Sequence, residues 1–99
     1  MPLSELKLAV NGDDTPLDKF TTGFVFSVVK GMLGTLRGTE GAREAIIIVA
    51  DEKVNIELDG VPLPLNPFVN DIFRNTLEGA ILSLRGVDCI EYMRLEIRE

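Results

Sequence analysis

At 99 residues, 45% of them apolar, the chain is long enough to bury one hydrophobic core. It has no Pro-, Gly- or Ser-rich linker to divide it, so a single domain over 1–99 is expected. A net charge of −6, from 16 acids against 10 bases, argues against a partner such as nucleic acid, whose phosphates must be met by Lys and Arg. A single cysteine and no histidine exclude an internal disulfide and leave no base or metal ligand beside Cys89, which fits a reducing, cytoplasmic setting.

The N-terminal stretch MPLSELKL lacks a basic region followed by an apolar run, so no secretory signal is expected. Leu6, Leu8 and Val10 alternate with polar or small neighbours, the period of a strand with one buried face. The turn formers of NGDDTPL end that strand. A helix follows, with Asp18 as its expected N-cap and Gly38 as its stop, since a residue just past the last turn often takes a left-handed conformation open to Gly. Its apolar run from Phe24 to Leu36 carries Lys30 and is too short to cross a bilayer, so no membrane association is expected. Strands are predicted at 44–50 (EAIIIVA) and 53–59 (KVNIELD), joined at Asp51 and Glu52 as a tight hairpin. A second helix begins after Asn66, with Pro67 at the first helical position, and stops at Gly86. The last strand is YMRLEIR at 92–98.

TLRG at 35–38 returns as SLRG at 83–86, and the likeness extends beyond those four letters. Aligning 7–49 with 55–97 without a gap pairs Gly12 with Gly60, Pro16 with Pro64, Leu17 with Leu65, Phe20 with Phe68, Gly31 with Gly79, Leu36 with Leu84, Arg37 with Arg85 and Gly38 with Gly86. Those eight identities exceed the two or three that average usage gives by chance. The chain therefore reads as two tandem βαβ repeats, 5–50 and 53–98, offset by 48 residues. Two such units sharing a central hairpin predict an α+β fold: a ferredoxin-like βαββαβ sandwich. Its four-stranded antiparallel sheet would carry both helices on one face, with the first and third strands in the centre.

On the first helix, positions 20, 24, 25, 28, 32 and 36 are expected to face the core, and on the second 68, 72, 73, 77, 80, 81 and 84. Gly31 and Gly79, beside those stripes, suggest a point where the helices pass closely, extended by Gly23 and Ser27. The outer side of the second helix is polar (Asn70, Asp71, Arg74, Asn75 and Glu78), whereas the first presents Phe26 with little charge. The same contrast separates Arg94, Glu96 and Arg98 on the last strand from Ile46, Ile48 and Ala50 on the second. An edge strand reading AIIIVA invites pairing with another chain. Phe26, Ile46, Ile48 and Ala50 are accordingly the expected interface of a homo-oligomer, a dimer above all, or of a protein partner.

Chemistry is sparse, and no catalytic residue, metal centre or cofactor site stands out. Without histidine, acid–base work would fall to carboxylates or Tyr92. Asp13, Asp14 and Asp18 form the densest acidic stretch, and the topology sets them at the same end as Asp51, Glu52 and Arg85. That end could take a hard cation, although acids are also the ordinary residues of turns. Arg37 and Arg85 can be read as salt-bridge partners of Asp59 and Asp18, or as anion sites beside the opposite helix start. The residues favour a small interaction or regulatory module that self-associates. The alternative is a small-ligand-binding or enzymatic domain whose site, drawn from Asp13, Asp14, Asp18, Arg37 and Arg85, lies at a subunit interface.

Overall fold

A computed structural model describes residues 5–36, 39, 41–84 and 86–98. The protein is α+β. Two helices pack on one face of a six-stranded antiparallel sheet. The strands are β1 (Glu5–Val10), β2 (Asp13–Asp14), β3 (Glu44–Ala50), β4 (Lys53–Leu58), β5 (Val61–Leu63) and β6 (Tyr92–Arg98), and the helices are α1 (Lys19–Gly34) and α2 (Pro67–Leu82). The order across the sheet is β2-β1-β6-β3-β4-β5.

This order corrects the expected four-stranded ferredoxin-like arrangement in two respects. β2 and β5 are additional strands, each folded back by a two-residue turn: Asn11–Gly12 joins Val10 to its partner Asp13, and Asp59–Gly60 joins Leu58 to its partner Val61. All four turn residues have positive φ (53°, 85°, 50° and 83°), the pairing that matches strand twist and that Asn-Gly and Asp-Gly supply with little strain. The centre is held by β3 and β6, paired from Glu44–Arg98 to Ala50–Tyr92, while β1 and β4 lie outside them. Either order lets each helix cross over one intervening strand, so local pattern does not choose between them.

β3 is therefore no edge. Its backbone is hydrogen-bonded on both sides. The true edges are two and three residues long, one made of Asp13 and Asp14 and the other containing Pro62, features that blunt an edge against further strand addition.

Two side-chain clasps lock the ends of the sheet. The Asn11 side-chain oxygen accepts from the backbone N–H of Glu91 (2.7 Å) and Tyr92 (3.0 Å). At the other end an Asp59 carboxylate oxygen accepts from Arg43 N–H (3.1 Å) and Glu44 N–H (2.9 Å). Each turn so fixes the start of the neighbouring strand, and each accepting residue is 48 positions from its counterpart, 59 against 11.

The hairpin between β3 and β4 turns on Asp51 and Glu52, with φ of 51° and 64°. Asn70 on α2 pins it, accepting from Val54 N–H (2.7 Å) and donating to the Glu52 carbonyl (3.2 Å). Asp tolerates the left-handed region, but Glu there is strained and its ion pair with Arg74 is long and exposed (3.9 Å). Glu52→Gly is expected to stabilise the fold by about 1 kcal/mol, raising Tm by roughly 4–8 °C in calorimetry. An unchanged or lower Tm would show the turn to be unstrained.

Facing the sheet, Val25, Val29 and Leu33 of α1 and Phe73, Leu77 and Ile81 of α2 are buried, each set spaced by four. They meet Leu8, Val10, Ala45, Ile47, Val49, Val54, Ile56, Leu58, Met93, Leu95 and Ile97 from the sheet. Among the described residues no polar or charged residue is buried.

The helices end earlier than LRG suggests, at Gly34 and Leu82, with Thr35 and Ser83 as C-caps. Their hydroxyls donate to the carbonyls of Met32 (2.7 Å), which also accepts from the Thr35 N–H (3.1 Å), and of Gly79 (2.9 Å). Gly86 does take a left-handed φ of 85°, but beyond the helix. Gly38 lies outside the described residues.

Candidate functional site

The sequence candidates separate once the chain is folded. Asp13 and Asp14 form the exposed edge strand β2, paired with Val10 and Ala9. Asp18 caps α1, its carboxylate accepting from Thr21 N–H at 2.7 Å, and that hydrogen bond holds its pKa below the usual aspartate value. Its role is structural, and neutral Asn66 does the same at α2, accepting from Val69 N–H at 2.8 Å. Arg37 and Arg85 lie outside the described residues. Asp59, a suggested partner of Arg37, directs its oxygens to backbone amides. Among the described residues no three His, Cys, Asp or Glu come together so as to hold a metal ion.

An open hollow lies beside the end of α1 and the start of β3, lined by Lys30, Gly34, Arg43, Glu44 and Arg98 among others. Within it Arg98 donates to one Glu44 oxygen through Nη2 (2.7 Å) and Nε (3.1 Å), which holds the guanidinium still more firmly protonated.

The expected interface residues part company as well. Ile46, Ile48 and Ala50 sit half-buried on the sheet face away from the helices, flanked across the ladders by Glu96 and Glu57, Arg94 and Asn55, and Tyr92 and Lys53. Phe26 is not on the outer side of α1: it is half-buried and packs against the core, with Lys30 Nζ 6.0 Å from its ring centre.

The exposed apolar surface lies elsewhere, on residues that sequence periodicity assigns to the core. Phe20 and Phe68 are each 71% exposed, Phe24 55% and Ile72 46%. An α-helix turns about 100° per residue, so Phe20, nine positions before buried Val29, stands about 180° from it. The outer face of α1 is Phe20, Gly23, Phe24, Ser27, Lys30, Gly31 and Gly34, all exposed. The Phe20 and Phe24 rings stack at 6.3 Å, 13° from parallel. The glycines do not mark a close crossing within the molecule: an added Cβ at Gly23, Gly31, Gly34 or Gly79 would meet nothing within 4 Å.

The molecule is flattened, 36 × 35 × 19 Å, with a broad helical side that carries exposed aromatic rings beside open glycine positions. No helix among the described residues is long and apolar enough to cross a membrane. No family model, curated protein or solved structure matches the chain.

Proposed function

We propose that the protein is a small self-associating interaction module of the cytoplasm, assembled by tandem duplication of one strand–helix–strand unit and without chemistry of its own. The observation that carries self-association is the exposure of Phe20 and Phe68, both 71%, at equivalent positions of the two helices. A large aromatic side chain has 150–250 Å² to remove from water, and exposed aromatic rings are features of interaction sites. Duplication is supported by the constant offset of the elements: β1 begins at 5 and β4 at 53, α1 at 19 and α2 at 67, β3 at 44 and β6 at 92, each 48 apart. The cytoplasmic assignment rests on the sole cysteine, Cys89, which is exposed.

Light scattering across a concentration series tests the reading. The wild-type chain is expected at twice its 10.9 kDa mass, and the Phe20→Ser, Phe68→Ser double variant at the monomer mass with an unchanged circular dichroism spectrum, because neither ring belongs to the core. A wild-type monomer at every concentration would refute it.

A further inference from the structure

The clasp at the start of β6 is built on an asparagine followed by glycine, Asn11–Gly12. The backbone nitrogen that follows an asparagine can attack the side-chain amide, and glycine offers that nitrogen with no side chain to hinder it. Of the chain's five asparagines the other four precede Ile56, Pro67, Asp71 and Thr76, whose side chains crowd the attack; proline has no N–H to give up. Asn11 and Gly12 are both exposed, so water reaches the pair. The reaction is a ring closure. The Gly12 nitrogen bonds to Asn11 Cγ, the bond from Cγ to Nδ2 breaks, and Nδ2 leaves as ammonia with the proton lost from Gly12. Water then opens the succinimide at either carbonyl. Cleavage between the nitrogen and Cγ yields aspartate, and cleavage between the nitrogen and the main-chain carbonyl yields isoaspartate, whose backbone is one carbon longer.

The folded turn withholds this reaction. The ring must hold Cβ, Cα, the carbonyl carbon and the Gly12 nitrogen near one plane, which sets ψ of an L-residue well into negative values. The φ values of 53° at Asn11 and 85° at Gly12 are those of the mirror-image type I turn, in which ψ at the first position is about +30°. The clasp opposes the rearrangement as well. Oδ1 accepts from the Glu91 and Tyr92 N–H groups, Nδ2 donates to the Cys89 carbonyl (3.0 Å), and the Asn11 N–H donates to the Tyr92 carbonyl (2.7 Å). Two amides on Oδ1 polarise Cγ as an oxyanion hole would, but that helps no ring closure while ψ stays that of the turn. Closure therefore waits for a local opening that gives up the turn and the Nδ2 contact.

The second clasp shows how the fold receives the product. Asp59, also followed by glycine, accepts from two backbone amides at 3.1 and 2.9 Å with a φ of 50°. A carboxylate thus fits a clasp of this kind. Isoaspartate does not, because its carboxylate sits directly on Cα, one carbon short of the Glu91 and Tyr92 amides, and its longer backbone breaks the two-residue turn that pairs Val10 with Asp13. We propose that Asn11 is a deamidation site held shut by the fold: it converts only when the first hairpin opens, and its aspartate product reseats in the clasp while its isoaspartate product cannot.

Peptide mapping by mass spectrometry tests the first half, with the native chain and the same chain in guanidinium chloride aged side by side at neutral pH. In denaturant, conversion at Asn11 is expected to outrun that at the other four asparagines. In the native chain it should be at least about tenfold slower, since the hydrogen bonds of turn and clasp must first be given up. Hydrogen exchange on the separated products, returned to native buffer, tests the second half. The aspartate form is expected to keep the Glu91 and Tyr92 amides protected, as the Asn11→Asp variant does, and the isoaspartate form to lose that protection, either locally or by failing to refold. Equal rates of conversion in the native and denatured chains would overturn the protection by the fold. An isoaspartate form with both amides as protected as in the aspartate form, or an aspartate form with neither protected, would overturn the assignment of the products.

Discussion

Replacing Phe73 with alanine is expected to cost about 3–5 kcal/mol, whereas the same change at Phe20 should cost under about 0.5 kcal/mol in the monomer. The chain has five phenylalanines, and the contrast between these two measures which side of each helix is the core. Phe73 is 2% exposed on the inner face of α2, above a sheet surface that is entirely aliphatic apart from Met93. Its truncation removes the transfer free energy of the ring and leaves a cavity that close-packed neighbours fill only in part. A domain of this kind is stable by about 5–15 kcal/mol in total, so Phe73→Ala leaves it marginal. Urea denaturation of dilute protein, where association adds nothing to apparent stability, gives both numbers. Equal costs at the two positions would mean that the helices seat on the sheet by a different face.

The clasps at the two ends of the sheet carry the second large effect. Asn11→Ala and Asp59→Ala are each expected to destabilise by about 2 kcal/mol. Each removes the acceptor of two backbone amides, worth about 0.5–1.5 kcal/mol apiece before solvent takes over part of the role, and puts alanine at a φ near 50°. Asp59→Asn keeps both the acceptor and the tolerance for that φ and should cost under about 1 kcal/mol, whereas Asn11→Asp keeps them but gives up the side-chain N–H donation to the Cys89 carbonyl (3.0 Å), so its cost should fall between that value and the alanine variant's. Because the clasps sit at opposite ends of six- and seven-residue strands, roughly 20 Å apart, their costs should add in the double alanine variant. Alanine variants that unfold no more easily than these conservative exchanges would reduce the clasps to incidental surface contacts.

Several features were legible in the sequence because they depend on neighbours only a few positions away. The alternation in β1, β3, β4 and β6, the caps Asp18 and Asn66, Pro67 at the helix start and the turn at Asp51–Glu52 all belong to this group. Asn11–Gly12 was legible as a turn, but the strand at 53–59 was carried through Asp59, and the short strands that return after Asn11–Gly12 and Asp59–Gly60 went unread. Phe20 could have been placed outward by its nine-residue distance from Val29, but the first helix is apolar on so much of its circumference that its stripe had no clear centre. The helix ends were obscured because Thr35 and Ser83 close them before the more conspicuous glycines. Strand order lay beyond local reading altogether. Whether β3 and β6 or β1 and β4 occupy the centre leaves every residue with the same inward or outward alternation, so only pairing between segments far apart in the chain could decide it. The sequence by itself therefore determined the two helices, the four longer strands and the turn at Asp51–Glu52. The tertiary structure alone decided which strands are central and which side of α1 meets water, because both depend on how much apolar surface each element covers on the others once they are packed together.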